Sequence, residues 1–416
     1  MPSEKEMTAQ NAPVGSGAEQ SNPNNTIIIP ENEGYFNPYD EEIFEAQMQY
    51  ERESSPNYMQ TVSMPELYEM VYSGKPPVID NFLYPGTYLF VGAPKVGKSF
   101  MMAQIAYHVS SGLPMWNYPV RQGTVLYLAL EDDYRRLQER LYRMFGTETT
   151  SHLFFSVASK SLNNGLTEQL DMFLSEHSDT NLIIIDTLQK IRDAEGDAYS
   201  YAKDYDIIAQ LKAFSDKTGI CLILVHHTRK QKSDDNFDRI SGTNGLLGAA
   251  DGAFVMYKSK RTESVATIEV SGRDQPDKKY QITRNKDTLC WDFKSAKSPC
   301  CEEPPEPVLE AIGNFITENN SSWEGTATEL IEQLKIEIQP NALSMKLNVN
   351  ASKLYHKYYI WYTNKRTHKG RMIQLRYDVN HPIMIQPTAP VNETTDIPSS
   401  SDKITPIEES NGNSDA

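Results

Sequence analysis

The chain has 416 residues, with 40 Lys or Arg against 56 Asp or Glu, and a formal net charge of −16. Taken over the whole chain, this charge argues against nucleic acid as a partner, because an acidic surface repels phosphate. Four cysteines are too few for a disulfide framework, no apolar run approaches the ~20 residues of a membrane helix, and the N-terminus has no apolar signal core. We therefore expect a cytoplasmic protein with no membrane partner.

The acidic charge is concentrated at the two ends of the chain. Residues 1–62 contain eleven acids and two bases, and residues 381–416 contain six acids and one base. Both segments are too polar to bury a core, so the sequence predicts a disordered acidic arm and a disordered acidic tail. Between them the charges nearly balance. A Pro-rich acidic run predicts a linker at 297–306, which separates a large domain at 63–296 from a small one at 307–380.

The large domain begins with a short apolar strand, Tyr88–Val91, followed by the octet Gly92–Ser99 and a helix to about Ser111. The octet fits G-x-x-x-x-G-K-[ST], a loop whose backbone N–H groups and following helix bind phosphate. Lys98 is expected to reach the β- and γ-phosphates of ATP, and Ser99 to ligate Mg²⁺. The predicted nucleotide-binding residues are Gly92, Ala93, Pro94, Lys95, Val96, Gly97, Lys98, Ser99 and Phe100.

Strands and helices then alternate, which predicts an α/β fold with a mainly parallel sheet covered on both faces. Three of the predicted strands end in polar residues, namely Glu131, Asp186 and the pair His226–His227. Because parallel strands gather ligand sites at their carboxyl ends, we expect these side chains to converge on the bound phosphates. Each residue alone is more often a helix cap or a structural residue, and only their joint position behind the loop favours a functional role.

Five motifs in this order make residues 63–293 resemble the RecA-like P-loop ATPases of the AAA_25 type, a group that includes the hexameric plasmid helicase RepA. The resemblance implies Glu131 as catalytic base, Lys98 and Ser99 on ATP and Mg²⁺, and Asp186 on the metal. It also implies His227 as a sensor that couples the state of ATP to DNA-binding loops. The motifs are Gly92–Ser99, Val125–Asp132, Ile183–Leu188, Leu224–Thr228 and Ile240–Asp251.

The arginine finger departs from the pattern of the plasmid helicase, since Ser241 stands where that helicase has its arginine. Arg239 and Arg273 are the candidates for a finger that acts on a neighbouring subunit, although a surface salt bridge explains each equally well. Arg229 and Lys230 lie in a charged loop after the histidines. In a homo-oligomer, for example a hexamer, such a loop would line a channel and track single-stranded DNA; an ordinary surface loop is the equal alternative.

The segment 307–380 predicts a small α+β domain of the winged-helix type. Helices are expected near 308–317, 323–330, 340–347 and 352–359, with Thr326 and Glu329 forming a capping box. Strands are expected at 358–363 and 372–377, with a turn or wing between them. Eight Lys or Arg and no acid occur from Lys346 to Arg376, which favours duplex DNA over a protein partner. The predicted wing residues are Lys365, Arg366, Lys369 and Arg371.

Together these features predict a Mg²⁺-dependent ATPase that acts on DNA, a helicase or replication protein of a plasmid or mobile element. A non-translocating regulator or loader switched by ATP is the main alternative. A DNA-binding adaptor with slow hydrolysis and a small-molecule kinase are weaker ones.

Overall fold

The computed structural model divides the chain into a unit of residues 1–63 and a unit of residues 64–416. In the first unit the described part contains one helix, α1, over residues 46–52. Most of the predicted arm and linker, and all of the predicted tail, lie outside the described residues. Those residues are 46–52, 54–72, 74–192, 201–228, 235–240, 244–260, 262–273, 275, 277–298, 306–317, 320–367 and 370–378.

A nine-stranded sheet forms the centre of the large unit, in the order β3-β2-β4-β5-β1-β6-β7-β8-β9. The six strands from β3 to β6 in this order are parallel, and β7, β8 and β9 extend the sheet in antiparallel pairs. The prediction of a mainly parallel sheet is confirmed. The strands are β1 Gly86–Gly92, β2 Thr124–Ala129, β3 Leu153–Ser156, β4 Thr180–Asp186, β5 Cys221–His227, β6 Gly252–Tyr257, β7 Val265–Gly272, β8 Lys278–Arg284 and β9 Trp291–Lys297.

Helices cover both faces of this sheet, because its central strands are apolar on both sides. One face packs against α3, Lys98–Ser111, and α4, Tyr134–Phe145. The other face packs against α5, Leu166–Glu176, α6, Tyr201–Thr218, and α7, Asn244–Ala249. The result is a three-layered domain in which the polar ends of β1, β2, β4 and β5 share one edge.

A second, smaller core is formed by the C-terminal residues of the large unit. Its helices are α8 Pro307–Phe315, α9 Ala327–Leu334, α10 Pro340–Val349 and α11 Ala351–Tyr358, and its sheet has the order β10-β12-β11. The predicted capping box is present, since Thr326 and Glu329 exchange hydrogen bonds at the start of α9. The winged-helix assignment itself stays a prediction.

Two details of this domain differ from the sequence-based expectation. Ser322–Thr326 forms a strand, β10, where the start of a helix was expected; Thr326 ends that strand and caps α9, so the helix begins only at Ala327. The hairpin strands β11, Ile360–Thr367, and β12, Gly370–Tyr377, are longer than predicted. Lys365 and Arg366 therefore belong to a strand, because cross-strand pairing continues to Thr367 and Gly370.

The segment 64–72 was assigned to the large domain but packs against the C-terminal helices. It begins with helix α2, Met64–Glu69, and Val71 packs on the C-terminal core. The Asn348 amide donates to the carbonyl of Tyr68 at 2.9 Å. In the part of the chain that is described, no helix combines the length and the apolar character needed to cross a membrane.

Candidate nucleotide-binding site

The loop between β1 and α3 has the backbone of a phosphate cradle. Gly97 adopts φ 113° and Lys95 φ 65°, both in the left-handed region, which glycine enters without strain. A Cβ on Gly92 would lie 2.5 Å from the carbonyl oxygen of Met256 on β6, so this position has no room for a side chain. Helix α3 begins directly behind the loop at Lys98 and presents its N–H groups to the cradle.

The ammonium group of Lys98 points back into the loop and is almost fully buried. It donates to the carbonyls of Gly92 at 2.8 Å and Ala93 at 3.3 Å, and lies 3.1 Å from Nδ1 of His227. Because an ammonium has only donors, His227 Nδ1 must accept. Burial lowers the pKa of Lys98 to about 8, while the carboxylates of Asp186 and Glu131 oppose the change. The lysine thus occupies the place where a phosphate would enter.

Asp186 lies at the end of β4, against the start of α3. Its carboxylate accepts hydrogen bonds from the hydroxyls of Tyr127, at 3.0 Å, and of Ser99. Burial raises the pKa of Asp186, and these two hydrogen bonds counteract the rise. The sequence missed Tyr127, which sits in the middle of an apolar strand and carries no motif. The position of Asp186 beside Ser99 is the one predicted for a metal ligand.

Glu131 follows β2 on the neighbouring strand and is solvent-exposed. Its carboxylate accepts a hydrogen bond of 3.1 Å from the hydroxyl of Thr187, the residue after Asp186. The Asp186–Thr187 peptide bond is cis. Thr187 orients the predicted catalytic base, and only its adjacency to Asp186 in the sequence could have indicated this.

The two histidines at the end of β5 have different surroundings. His226 is buried in the sheet, while His227 is half-buried and faces Lys98. Burial is the largest cause that lowers the pKa of His227, and the charge of Lys98 adds to it. A neutral imidazole at this position agrees with its acceptor role. The structure therefore places His227, not His226, toward the phosphate loop.

The residues present fit a magnesium ion. A serine hydroxyl and a buried carboxylate supply hard oxygen ligands, the type that Mg²⁺ takes from proteins beside substrate phosphates. The raised pKa of Asp186 shows that its charge is poorly solvated in this pocket, which an added cation would offset. Ser99 and Asp186 are therefore the residues that would hold the ion.

The phosphate loop rests on a residue from the far end of the sheet. The buried ring of Trp291 on β9 would lie 2.5 Å from a Cβ on Gly97. Gln104 of α3 fixes this strand by accepting from the Trp291 N–H at 2.7 Å and donating to its carbonyl at 3.0 Å. The ring of Phe100, the last predicted nucleotide-binding residue, stacks under the Arg284 guanidinium, 4.0 Å from the ring centroid. None of these supports was found from the sequence.

The two finger candidates lie at opposite ends of the sheet's strands. Arg239 lines a cavity of about 440 Å³ together with the phosphate-loop residues Ala93 to Val96. Arg273 follows β7 at the end that pairs with the start of β6, and it donates to the carbonyl of Gly248 at 2.8 Å. Arg273 therefore does not join the site of its own chain, and its predicted role requires a second copy.

The predicted DNA-binding residues are only partly described. Arg229, Lys230 and Lys369 lie outside the described residues. Lys365 and Arg366 are exposed on β11, while Arg371 forms an ion pair of 3.1 Å with Glu69 of α2. Because neighbouring residues of a strand point to opposite faces, Lys365 and Arg366 do not form one surface.

Comparison with protein families gives one match, to the AAA_25 family, described as an AAA domain, over residues 74–233. The match covers less than half of the chain, but it includes the phosphate loop, Glu131, Asp186 and His227. Together with the mainly parallel sheet and the converging side chains, it decides the nature of this part of the protein. It is a RecA-like P-loop ATPase domain. The predicted resemblance is thereby confirmed at this level, and a specific likeness to the plasmid helicase stays a prediction.

Comparison with solved structures finds distant similarities to the P-loop ATPase domain. A DnaB-like replicative helicase, from a structure with interactions with primase, is 13% identical with a TM-score of 0.46, and the alignment covers 62% of this chain and 73% of that one. A separately solved ATPase domain gives 14%, 0.44, 62% and 98%. A KaiC-like protein of Pyrococcus horikoshii gives 15%, 0.38, 54% and 99%. No curated protein matches the sequence, and no assignment rests on these weak structural similarities.

Proposed function

We propose that the chain is a Mg²⁺-dependent ATPase that works on DNA as a helicase or replication protein of a plasmid or mobile element. The observation that carries the proposal is the convergence of Lys98, Asp186, Glu131 and His227 around one phosphate loop. These residues come from four different elements, and their charges already interact in the described structure. The P-loop ATPase domain supports the coarse activity; the action on DNA is our inference.

The chain's own residues divide the work of hydrolysis. The loop and Lys98 bind the β- and γ-phosphates and offset the charge that develops on them. Glu131, held by Thr187, orients and deprotonates the attacking water. When bound, Mg²⁺ at Ser99 and Asp186 would supply further charge neutralisation. His227 loses its contact with Lys98 when that lysine turns to a phosphate, so the bound state is transmitted to the end of β5.

The inference about DNA rests on the basic C-terminal domain and on the position of His227. The strand that ends in His227 leads into the predicted DNA-tracking residues Arg229 and Lys230. An arginine from a second copy, Arg239 or Arg273, would complete the site, which is why we propose a homo-oligomer, a hexamer being the form we favour. Single-stranded DNA in a channel and duplex DNA on the C-terminal domain are the proposed partners.

The test is the ATPase rate of the full-length protein with and without single-stranded DNA, measured beside its mass by light scattering. We expect stimulation by DNA and the mass of a ring. A monomer whose rate ignores DNA would contradict the helicase proposal. An active enzyme that loses its rate on chelation of Mg²⁺ would support the metal assignment.

The second candidate is an ATP-switched regulator or loader that does not translocate. The contact between Lys98 and His227 favours it, because this contact alone provides a binary response to a phosphate. A strand-displacement assay separates the two functions. ATP hydrolysis that is stimulated by DNA but produces no displaced strand would favour the switch.

A further inference from the structure

A cleft of about 630 Å³ lies between the P-loop ATPase domain and the C-terminal domain. One wall is formed by residues 76–80 and 111–122, which flank β1 and β2, and the other by α11 and the hairpin β11–β12. This volume lies within the range of about 300–1,000 Å³ that is typical of ligand-binding pockets. The site described above does not use the cleft.

Tyrosine hydroxyls hold the two walls in place and occupy both carboxylates of the cleft. Tyr359, at the end of α11, donates to Asp80 of the opposite wall, and Tyr355 donates to Asp378 at 2.8 Å. Tyr359 adopts the left-handed φ of 58°, a conformation that a bulky residue rarely takes and that turns its side chain across the cleft. The acceptor groups of the cleft therefore already have donors from the protein.

The cleft's guanidinium donors are in the opposite position. Arg121 and Arg376 line it and are exposed, and among the described residues no side-chain hydrogen bond or ion pair of either is found. Each guanidinium carries five N–H donors and no acceptor. The unmet chemistry of the cleft is thus a demand for acceptor oxygens, and phosphate matches guanidinium geometry well.

An aromatic platform lies beside these donors. Trp361 is half-buried and packs on Tyr355 with ring centroids 4.2 Å apart. Arg376 is the direct cross-strand partner of Trp361, so a guanidinium and an indole face lie side by side on the exposed face of the sheet. An open π-face next to phosphate-binding arginines is the combination that binds nucleotides of single strands.

The same sheet face continues this surface toward the tip of the hairpin. Alternation along β11 puts Thr363 and Lys365 on the face of Trp361, and both are exposed. Lys365 lies four residues from Trp361, roughly 13 Å along the strand. Arg366 and Arg371 lie on the other face, where Arg371 pairs with Glu69. A phosphate backbone can therefore follow the first face alone.

We propose that the cleft binds one unpaired nucleotide of a single-stranded nucleic acid, with its base on Trp361 and its phosphates at Arg121 and Arg376. Paired bases are stacked inside a duplex and do not present a free face, so the platform selects single strands. The proposal deepens the proposed function by naming a nucleic-acid site outside the channel loops. It rests on that function only for the partner class and does not require hydrolysis.

The test uses the full-length protein without ATP and a fluorescein-labelled oligothymidylate, with oligouridylate and duplex DNA as parallel probes. Trp361→Ala should weaken single-strand binding by about 5- to 100-fold, the effect of losing one stacked base. Arg121→Gln and Arg376→Gln should each lower the slope of log K against log salt by about 0.7. Matched controls on α4 are Tyr142→Ala and Arg135→Gln, which are similarly exposed and should bind like wild type.

Trp361→Phe keeps a stacking ring, so it should restore most of the affinity and shows that loss in Trp361→Ala is not misfolding. A 5-iodouracil oligonucleotide should cross-link to the peptide that contains Trp361. Wild-type binding by Trp361→Ala, or an equal loss of duplex binding, would overturn the proposal. Preference for oligouridylate over oligothymidylate would support the site and identify RNA as its occupant.

The two proposals fail separately. If hydrolysis proves indifferent to DNA while Trp361→Ala still weakens strand binding, the helicase function falls and the cleft stands. If DNA stimulates hydrolysis in Trp361→Ala as in wild type and its binding is unchanged, the cleft proposal falls and the helicase function stands.

Discussion

At the scale of single residues, the phosphate loop of this protein is held closed by its own lysine. The ammonium of Lys98 satisfies carbonyls of Gly92 and Ala93 and the imidazole of His227. A nucleotide has to exchange these partners for phosphate oxygens. Binding and sensing are therefore one event at the atomic level, because the same nitrogen contacts both the substrate and the sensor.

Glu131→Gln tests the assignment of the catalytic base. The amide keeps an oxygen that can accept from Thr187 but cannot take a proton, so we expect ATP binding near wild type and hydrolysis reduced by at least about 100-fold. Fluorescent-ATP binding and phosphate release measure the two steps. Glu139→Gln, an exposed glutamate on α4, is the matched control. A rate near wild type in Glu131→Gln would show that another group activates the water.

At the scale of elements, the antiparallel end of the sheet supports the loop that binds phosphate. Gln104 and Trp291 join α3 to β9 through two hydrogen bonds, and the indole fills the space behind Gly97. The indole Nε1 of Trp116 also donates to the Trp291 carbonyl at 2.7 Å. Strand β9 thus acts as a rear wall for a site built by β1, β2, β4 and β5.

Gln104→Ala should lower the free energy of unfolding by about 1–3 kcal/mol, because it leaves a buried N–H of β9 without its partner. Urea unfolding checks this value, and nucleotide affinity should fall with it because the wall behind Gly97 loosens. Gln138→Ala on the exposed face of α4 should change stability by less than about 0.5 kcal/mol. Equal stabilities of the two variants would contradict the role of the Gln104 clamp.

The sequence allowed the parallel sheet and the phosphate loop to be predicted because both leave local signals. Apolar runs that end in Asp186 or His227 identify strands and their functional ends, and the glycine spacing identifies the loop. Trp291, Gln104 and Tyr127 act through contacts with partners far away in sequence, which no local pattern records. Strand β10 was missed because Trp323 and Glu324 are followed by a strong helix cap, whose signal extended the predicted helix backwards.

At the scale of the whole molecule, net charge misrepresents the surface that would meet DNA. Fourteen of the sixteen net negative charges lie in residues 1–62 and 381–416, and the rest of the chain is almost neutral. The C-terminal domain contains a stretch without acids from Lys346 to Arg376. The acidic ends therefore compete with nucleic acid for this basic stretch in proportion to electrostatic screening.

Removal of residues 1–45 and 381–416 should tighten DNA binding at low salt and leave it unchanged at high salt. The reason is that screening weakens the competition between acidic ends and phosphate. Binding isotherms of both proteins over a salt series measure the difference. Affinities that coincide at low salt would show that the ends act on something other than the DNA-binding surface.

The packing of residues 64–72 has a consequence for how the protein is made. These residues precede the P-loop ATPase domain, yet the Asn348 amide that bonds Tyr68 stands 280 positions later in the chain. During synthesis, which proceeds from the N-terminus, the ATPase domain leaves the ribosome before the partners of this segment exist. The segment has to wait, unpaired, until the last helices emerge, so nascent chains stalled before Asn348 should expose Val71 to chaperones and proteases.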